Sequence, residues 1–163
     1  MSFSTDVKEE LLKVVPHEGH CRLAELSALI KYYGEVIYKP ELEIRLSMDN
    51  QIALSKCKVL LSKEFNIDSS IFEDSIDKPK SYMILNKSNA NIVEIVKKLS
   101  LQDPMSLIKR DCCKRAYLRG AFIASGFIGD PSGNYHFEIV TEALDYARLL
   151  AFLLPIRQEY ARR

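Results

Sequence analysis

The stretch Cys112-Cys-Lys-Arg-Ala-Tyr-Leu-Arg-Gly-Ala-Phe-Ile-Ala-Ser-Gly126 sets the reading of the whole chain. Ala116, Gly120 and Ala124 fall four residues apart, so on a helix they line one face. Side chains this small let a second helix backbone approach closely. A glycine inside a helix costs about 1 kcal/mol relative to alanine, so Gly120 points to a close crossing. The same pattern stands earlier in the chain. A shift of 92 residues places Cys21 on Cys113, Arg22 on Lys114, Ala24 on Ala116, Ala28 on Gly120 and Gly34 on Gly126. Two helices packed along these small faces would form the axis of a pseudo-twofold protein. The glycine ending each helix is expected to be a left-handed cap that turns the chain sharply into a strand.

Working outward, Ser4 or Thr5 caps a first helix that Pro16 stops. The second helix runs from about His20 to Tyr33. Strands are predicted at Val36–Tyr38 and at Glu41–Met48, where Leu42, Ile44, Leu46 and Met48 alternate with polar residues. A helix follows from about Gln51 to Phe65, then strands near Ser70–Ile76 and Lys80–Asn86, and a helix from Ala90 to Leu101. Repeat one therefore spans about 20–101. Repeat two begins at about 112, and up to 163 it has room for one helix, two strands and one more helix. Its turn, Asp130–Asn134, is predicted to be three residues longer than its counterpart, which aligns Leu42-Glu43-Ile44 with Phe137-Glu138-Ile139. The expected fold is α/β (α+β), with antiparallel sheets and an incomplete second repeat. On this reading the chain is a fragment or a diverged member, and its unpaired sheet edge favours a homodimer.

Leu26-Ser-Ala-Leu-Ile-Lys-Tyr-Tyr-Gly34 and Leu118-Arg-Gly-Ala-Phe-Ile-Ala-Ser-Gly126 resemble degenerate copies of the LAGLIDADG homing-endonuclease motif. The longer stretch from Cys112 to Pro131, with the opening Ser2–Leu11, resembles the WhiA family of bacterial regulators of sporulation and cell division. The resemblance implies a LAGLIDADG-like fold, a cytoplasmic, nucleoid-associated protein, and DNA as partner through a C-terminal helix-turn-helix that nothing after Ala143 fits. In active nucleases of this fold, a carboxylate just before each final glycine holds Mg²⁺. Those positions are Tyr33 and Ser125 here, which predicts no catalysis. The alternatives are a nuclease working through other carboxylates (Glu35, Asp130 or Glu138) and a ligand-sensing module with a pocket near the paired helices.

The bulk composition fits that picture. Lys plus Arg (23) nearly cancels Asp plus Glu (22), whereas a protein living on phosphate contacts shows a basic excess. The strand residues expected on the saddle face (Glu41, Glu43, Arg45, Ser47, Glu73, Asp74, Asp77, Lys78, Lys80, His136 and Glu138) are mixed to acidic, which suits a protein or small-ligand partner better than DNA. One basic cluster, Lys109, Arg110, Lys114, Arg115 and Arg119, is a candidate contact for nucleic acid or an acidic partner. Arg157, Arg162 and Arg163 at the tail are too few to decide anything. His17, His20 and Cys21 lack a fourth partner at any usual spacing, so no metal and no cofactor are assigned. No apolar run reaches the roughly 20 residues of a membrane span.

Overall fold

The computed structural model describes residues 2–74 and 80–154. Its elements run α1 (Phe3–Lys13), α2 (Gly19–Tyr33), β1 (Gly34–Ile37), β2 (Glu43–Met48), α3 (Gln51–Phe65), β3 (Glu73–Asp74), β4 (Ser81–Leu85), α4 (Ile92–Leu99), α5 (Asp111–Ser125), β5 (Gly126–Ile128), β6 (Phe137–Ile139) and α6 (Leu144–Leu153). Among the described residues the elements follow the expected order, and α6 is the last of them. Of the strand expected at Ser70–Ile76, the described residues show Glu73–Asp74 behind a 3₁₀ turn at Ser69–Ile71, and Ile76 lies outside them. Asp77, Lys78, Arg157, Arg162 and Arg163 lie outside the described residues.

The first helix opens earlier than its capping residues suggest. Ser2 Oγ accepts from the Thr5 amide at 3.2 Å, so Ser2 is the cap. Ser4 instead lies inside α1 and is buried, and its hydroxyl accepts from the Ile128 amide at 3.2 Å. That bond ties the start of the chain to β5.

Among the described residues, four strands form an antiparallel sheet in the order β1-β2-β4-β3, and β5 pairs with β6 alone. The two hairpins correct the sequence alignment. Gly34 pairs with Leu46 and Gly126 with Ile139, so Ile139 corresponds to Leu46 and Phe137 to Ile44. The second turn is one residue longer, not three. A two-residue slip keeps every side chain on its own face, so alternation alone cannot detect it.

Helix α2 is buried on nearly all sides. Leu26, Leu29 and Ile30 join the core between the four-stranded sheet, α3 and α4. Cys21, Ala24 and Ala28 join a second core with Ala116, Tyr117 and Ala121 of α5 and Tyr146 and Leu150 of α6. The crossing is as close as the small residues promise. A Cβ on Gly120 would stand 2.5 Å from the Glu25 carbonyl oxygen and 3.1 Å from Ala28 Cβ.

A charged network lies inside this crossing. Glu25 and Lys56 are both 0% exposed, and Lys56 Nζ stands 3.1 Å from Glu25 Oε1. That contact is ionic and not an aligned hydrogen bond, because the ammonium directs its protons at the carbonyls of Leu11, Leu12 and Val14. Lys56 thereby holds the C-terminal end of α1. Arg119 donates from Nε and Nη2 to Glu25 Oε2, at 3.1 and 2.9 Å. Burial pushes the Lys56 ammonium below its ordinary pKa, and the Glu25 carboxylate pulls it back up. A charge pair inside a core persists only when its polar atoms are met in this way.

Three tyrosines stabilise the fold in a pH-dependent way. Burial raises the phenols of Tyr33, Tyr117 and Tyr146 well above the ordinary 10. A group whose folded pKa is raised contributes stability that is complete below its unfolded pKa and is lost as pH rises toward the folded value. Stability should therefore fall above pH 10, with part of the tyrosinate absorbance appearing only in step with the loss of helical circular dichroism. Smooth titration of all eight tyrosines with the helices intact would contradict this.

Candidate functional site

Helices α2 and α5 lie side by side in the same direction, so their two ends make two distinct places. At the C-terminal ends stand the two positions that the motif resemblance assigns to metal-binding carboxylates in active nucleases. Tyr33 fills one, and its hydroxyl donates to the Ala124 carbonyl of α5 at 2.8 Å. Asn50, the N-cap of α3, accepts from the Ile52 and Ala53 amides and donates to the Ile123 carbonyl at 3.0 Å. The last turn of α5 is thus tied off by neutral groups. Ser125 fills the other position, its buried hydroxyl without a hydrogen-bond partner among the described residues.

Gly34 and Gly126 do end their helices, but not as left-handed caps. Both have negative φ, −111° and −81°. Space is the reason for glycine at these points. A Cβ on Gly34 would meet the Ile30 carbonyl oxygen at 2.7 Å, and one on Gly126 would meet the Phe122 ring at 2.1 Å.

The carboxylates of the nuclease alternative are engaged or dispersed. Asp130 accepts from the Ser132 amide and hydroxyl at 2.8 and 2.7 Å, which holds its carboxyl below the usual range. Glu138 faces His136 at 3.2 Å, and Glu35 is exposed on β1. On the outer face of the sheet Glu35, Arg45 and Ile84 line up across three strands, and Ser47 stands opposite Tyr82. Arg45 is bound to Glu43 at 2.5 Å. Tyr82 and Ile84 make this face more apolar than the sequence suggests, at 40% and 46% exposed. Beside the helix ends, Tyr32, Tyr33, Arg45 and Tyr82 line a cleft of about 490 Å³.

The basic cluster does not survive as one patch. Arg119 turns inward to Glu25, which stands directly across the close α2–α5 crossing. Lys114 sits 3.8 Å from Asp111, and Arg110 precedes α5 and donates to His20 Nε2 at 2.9 Å. Lys109 and Arg115 remain exposed.

The N-terminal ends of the same helices bring together what local spacing did not. His20 and Cys21 start α2, Cys112 and Cys113 start α5, and one ligand atom from each lies within 4.8 Å of the others. His20 Nδ1 is 3.2 Å from Cys113 Sγ, 3.4 Å from Cys21 Sγ and 4.0 Å from Cys112 Sγ. All four cysteines are free thiols. Burial, then the neighbouring thiols of Cys112 and Cys113, push the Cys21 thiol up to about 12. Cys113 is raised too, while a hydrogen bond from the Arg110 backbone pulls it back.

A family model described as the WhiA LAGLIDADG-like domain matches residues 114–160. Solved structures agree on the fold. Full-length DUF199/WhiA from Thermatoga maritima superposes with a TM-score of 0.70 at 19% identity, covering 94% of this chain and 49% of that one. The N-terminal LAGLIDADG domain of DUF199/WhiA gives 0.64 at 21%, covering 93% and 72%. The chain carries a LAGLIDADG-like domain of the WhiA family. Two curated relatives, each named probable cell division protein WhiA, make the same link through sequence. That of Heliobacterium modesticaldum is 33% identical over 168 residues, covering 94% of this chain and 53% of the relative. That of Lachnoclostridium phytofermentans is 36% identical over 167 residues, covering 92% and 53%. The chain thus spans about half the length of the curated WhiA relatives it matches. Among the described residues no helix is long and apolar enough to cross a membrane.

Within this WhiA-type domain the small-residue crossing stands where the sequence places it. The sequence missed Glu25 and Lys56, because charged residues on a helix read as surface. The one clue was that α2 carries apolar or small residues on every side of Glu25. It also missed the Cys/His cluster, whose halves are 92 residues apart, although the internal repeat sets His20 on Cys112 and Cys21 on Cys113.

Proposed function

We propose that this chain is the non-catalytic, partner-binding scaffold of a WhiA-type DNA-binding transcriptional regulator of sporulation and cell division. DNA reading falls to a C-terminal module in the part of the relatives that this chain does not span. The observation that carries the reading is the Tyr33 hydroxyl bound to the Ala124 carbonyl. A phenol and a serine stand where the chemistry needs two carboxylates to bring Mg²⁺ to a scissile phosphate. The paired charges on the sheet face support a protein partner over a phosphate backbone.

The test is titration against fluorescent duplex DNA by anisotropy at moderate salt, with and without Mg²⁺, followed by a gel of the products. The expected result is weak binding lost at modest salt, with the duplex intact. Mg²⁺-dependent cutting that disappears on substituting Glu35, Asp130 or Glu138 would replace this reading with an enzyme. Tight binding without cutting would move DNA recognition onto this domain and implicate Lys109 and Arg115.

A further inference from the structure

We propose that His20, Cys21, Cys112 and Cys113 form a structural site for Zn²⁺ that clamps together the N-terminal ends of α2 and α5. Zinc takes four ligands in a tetrahedron, with Zn–S near 2.3 Å and Zn–N near 2.0–2.1 Å, so its ligand atoms stand about 3.5–3.8 Å apart. The three distances from His20 Nδ1 to the thiol sulfurs, 3.2, 3.4 and 4.0 Å, bracket that separation. All four ligand atoms already lie within 4.8 Å of one another, and half-buried Cys112 holds the sulfur farthest from His20 Nδ1.

Three features beyond the cluster fit a cation. The ligand set follows the pseudo-twofold axis, each repeat giving the first-turn pair of its motif helix. Both helices also begin without a side-chain cap, as α6 does, whereas Ser2, Asn50 and Asn91 cap α1, α3 and α4. The positive ends of α2 and α5 therefore face the thiols with no side-chain acceptor in the way, which favours thiolates there. Finally, a carboxylate stands ready to accept from the outer nitrogen of the ring. Glu18 Oε2 lies 3.9 Å from His20 Nε2.

Loading balances as follows. Zn²⁺ binds three thiolates and one neutral imidazole and releases three thiol protons to solvent. Without metal, the Arg110 guanidinium donates to His20 Nε2, which puts the imidazole proton on Nδ1, facing Cys113. Coordination through Nδ1 moves that proton to Nε2, where it turns to Glu18 and Arg110 lets go. With four protein ligands the site is closed, so its role is to fix the helix pair.

The experiment is titration of Co²⁺ into the reduced, chelator-treated full chain, followed by displacement with Zn²⁺. One equivalent should give thiolate charge-transfer absorption and the intense visible bands of a tetrahedral site, and Zn²⁺ should bleach both and protect Cys112 from alkylation. Cys21→Ala and Cys113→Ala should lose the signal, whereas Cys57→Ala, in the other core, should keep it. Glu18→Ala should weaken Co²⁺ by about 10–100-fold. A Co²⁺ spectrum of the octahedral aqua type, or a stable Cys21–Cys113 disulfide found by mass in freshly purified chain, would overturn the proposal. None of these readouts depends on the regulatory function proposed above.

Discussion

Replacing Glu25 with alanine should destabilise the domain by about 3–5 kcal/mol, the usual cost of removing one partner from a buried ion pair. The pair here is wholly enclosed, with both side chains 0% exposed. The substitution strands two cations, Lys56 and Arg119, around the vacated space. Lys56 keeps its three carbonyl acceptors, so its hydrogen bonds survive while its charge goes uncompensated. For a domain of this size the melting temperature should drop by roughly 6–20 °C. Differential scanning calorimetry or urea unfolding would read the change, and disruption of the exposed Lys13–Glu10 pair serves as the control. A loss below about 1 kcal/mol would mean that water enters and screens the charges, contrary to the enclosed geometry.

Gly120→Val is the second large effect. Alanine at this position would gain about 1 kcal/mol of helix propensity. Its Cβ would nevertheless press to 2.5 Å from a backbone oxygen of α2, which no side-chain rotation relieves. Overpacking of this kind costs about 1–3 kcal/mol, so Gly120→Ala should come out mildly destabilising. Valine has a poorer helix propensity and two further carbons at the same contact, and should unfold at clearly lower denaturant than alanine. Equal midpoints for wild type, alanine and valine would show that the helices separate freely.

The features legible in the sequence were those that repeat. The Ala24, Ala28 and Ala116, Gly120, Ala124 faces forecast the crossing because small residues at four-residue spacing have few other uses. Gly34 and Gly126 were rightly read as helix ends, but for the wrong reason: a missing Cβ permits close contact as well as positive φ. The hairpin register escaped because strand alternation has period two. Arg119 escaped because its neighbours Lys114 and Arg115 made a plausible surface patch, and only the partner helix shows that it turns inward. The cysteines escaped because ligand spacing is a local signal, while here the fold supplies half the ligands from each repeat.

The buried charges also bear on which helix can pair with which. The internal shift of 92 residues sets Glu25 on Tyr117 and Ser27 on Arg119, so the two motif helices share a backbone but not a polarity. If α2 of one molecule met α2 of another, Glu25 would lose its guanidinium and face a serine, whose hydroxyl here bonds the Leu99 carbonyl at 2.7 Å. If α5 met α5, Arg119 would face a tyrosine. Either homotypic pairing strands a charge in a dry seam, at a cost that small-residue packing does not offset. The duplicated halves have ceased to be interchangeable, and the acid–base pair across the axis makes each helix choose its sibling over its own copy.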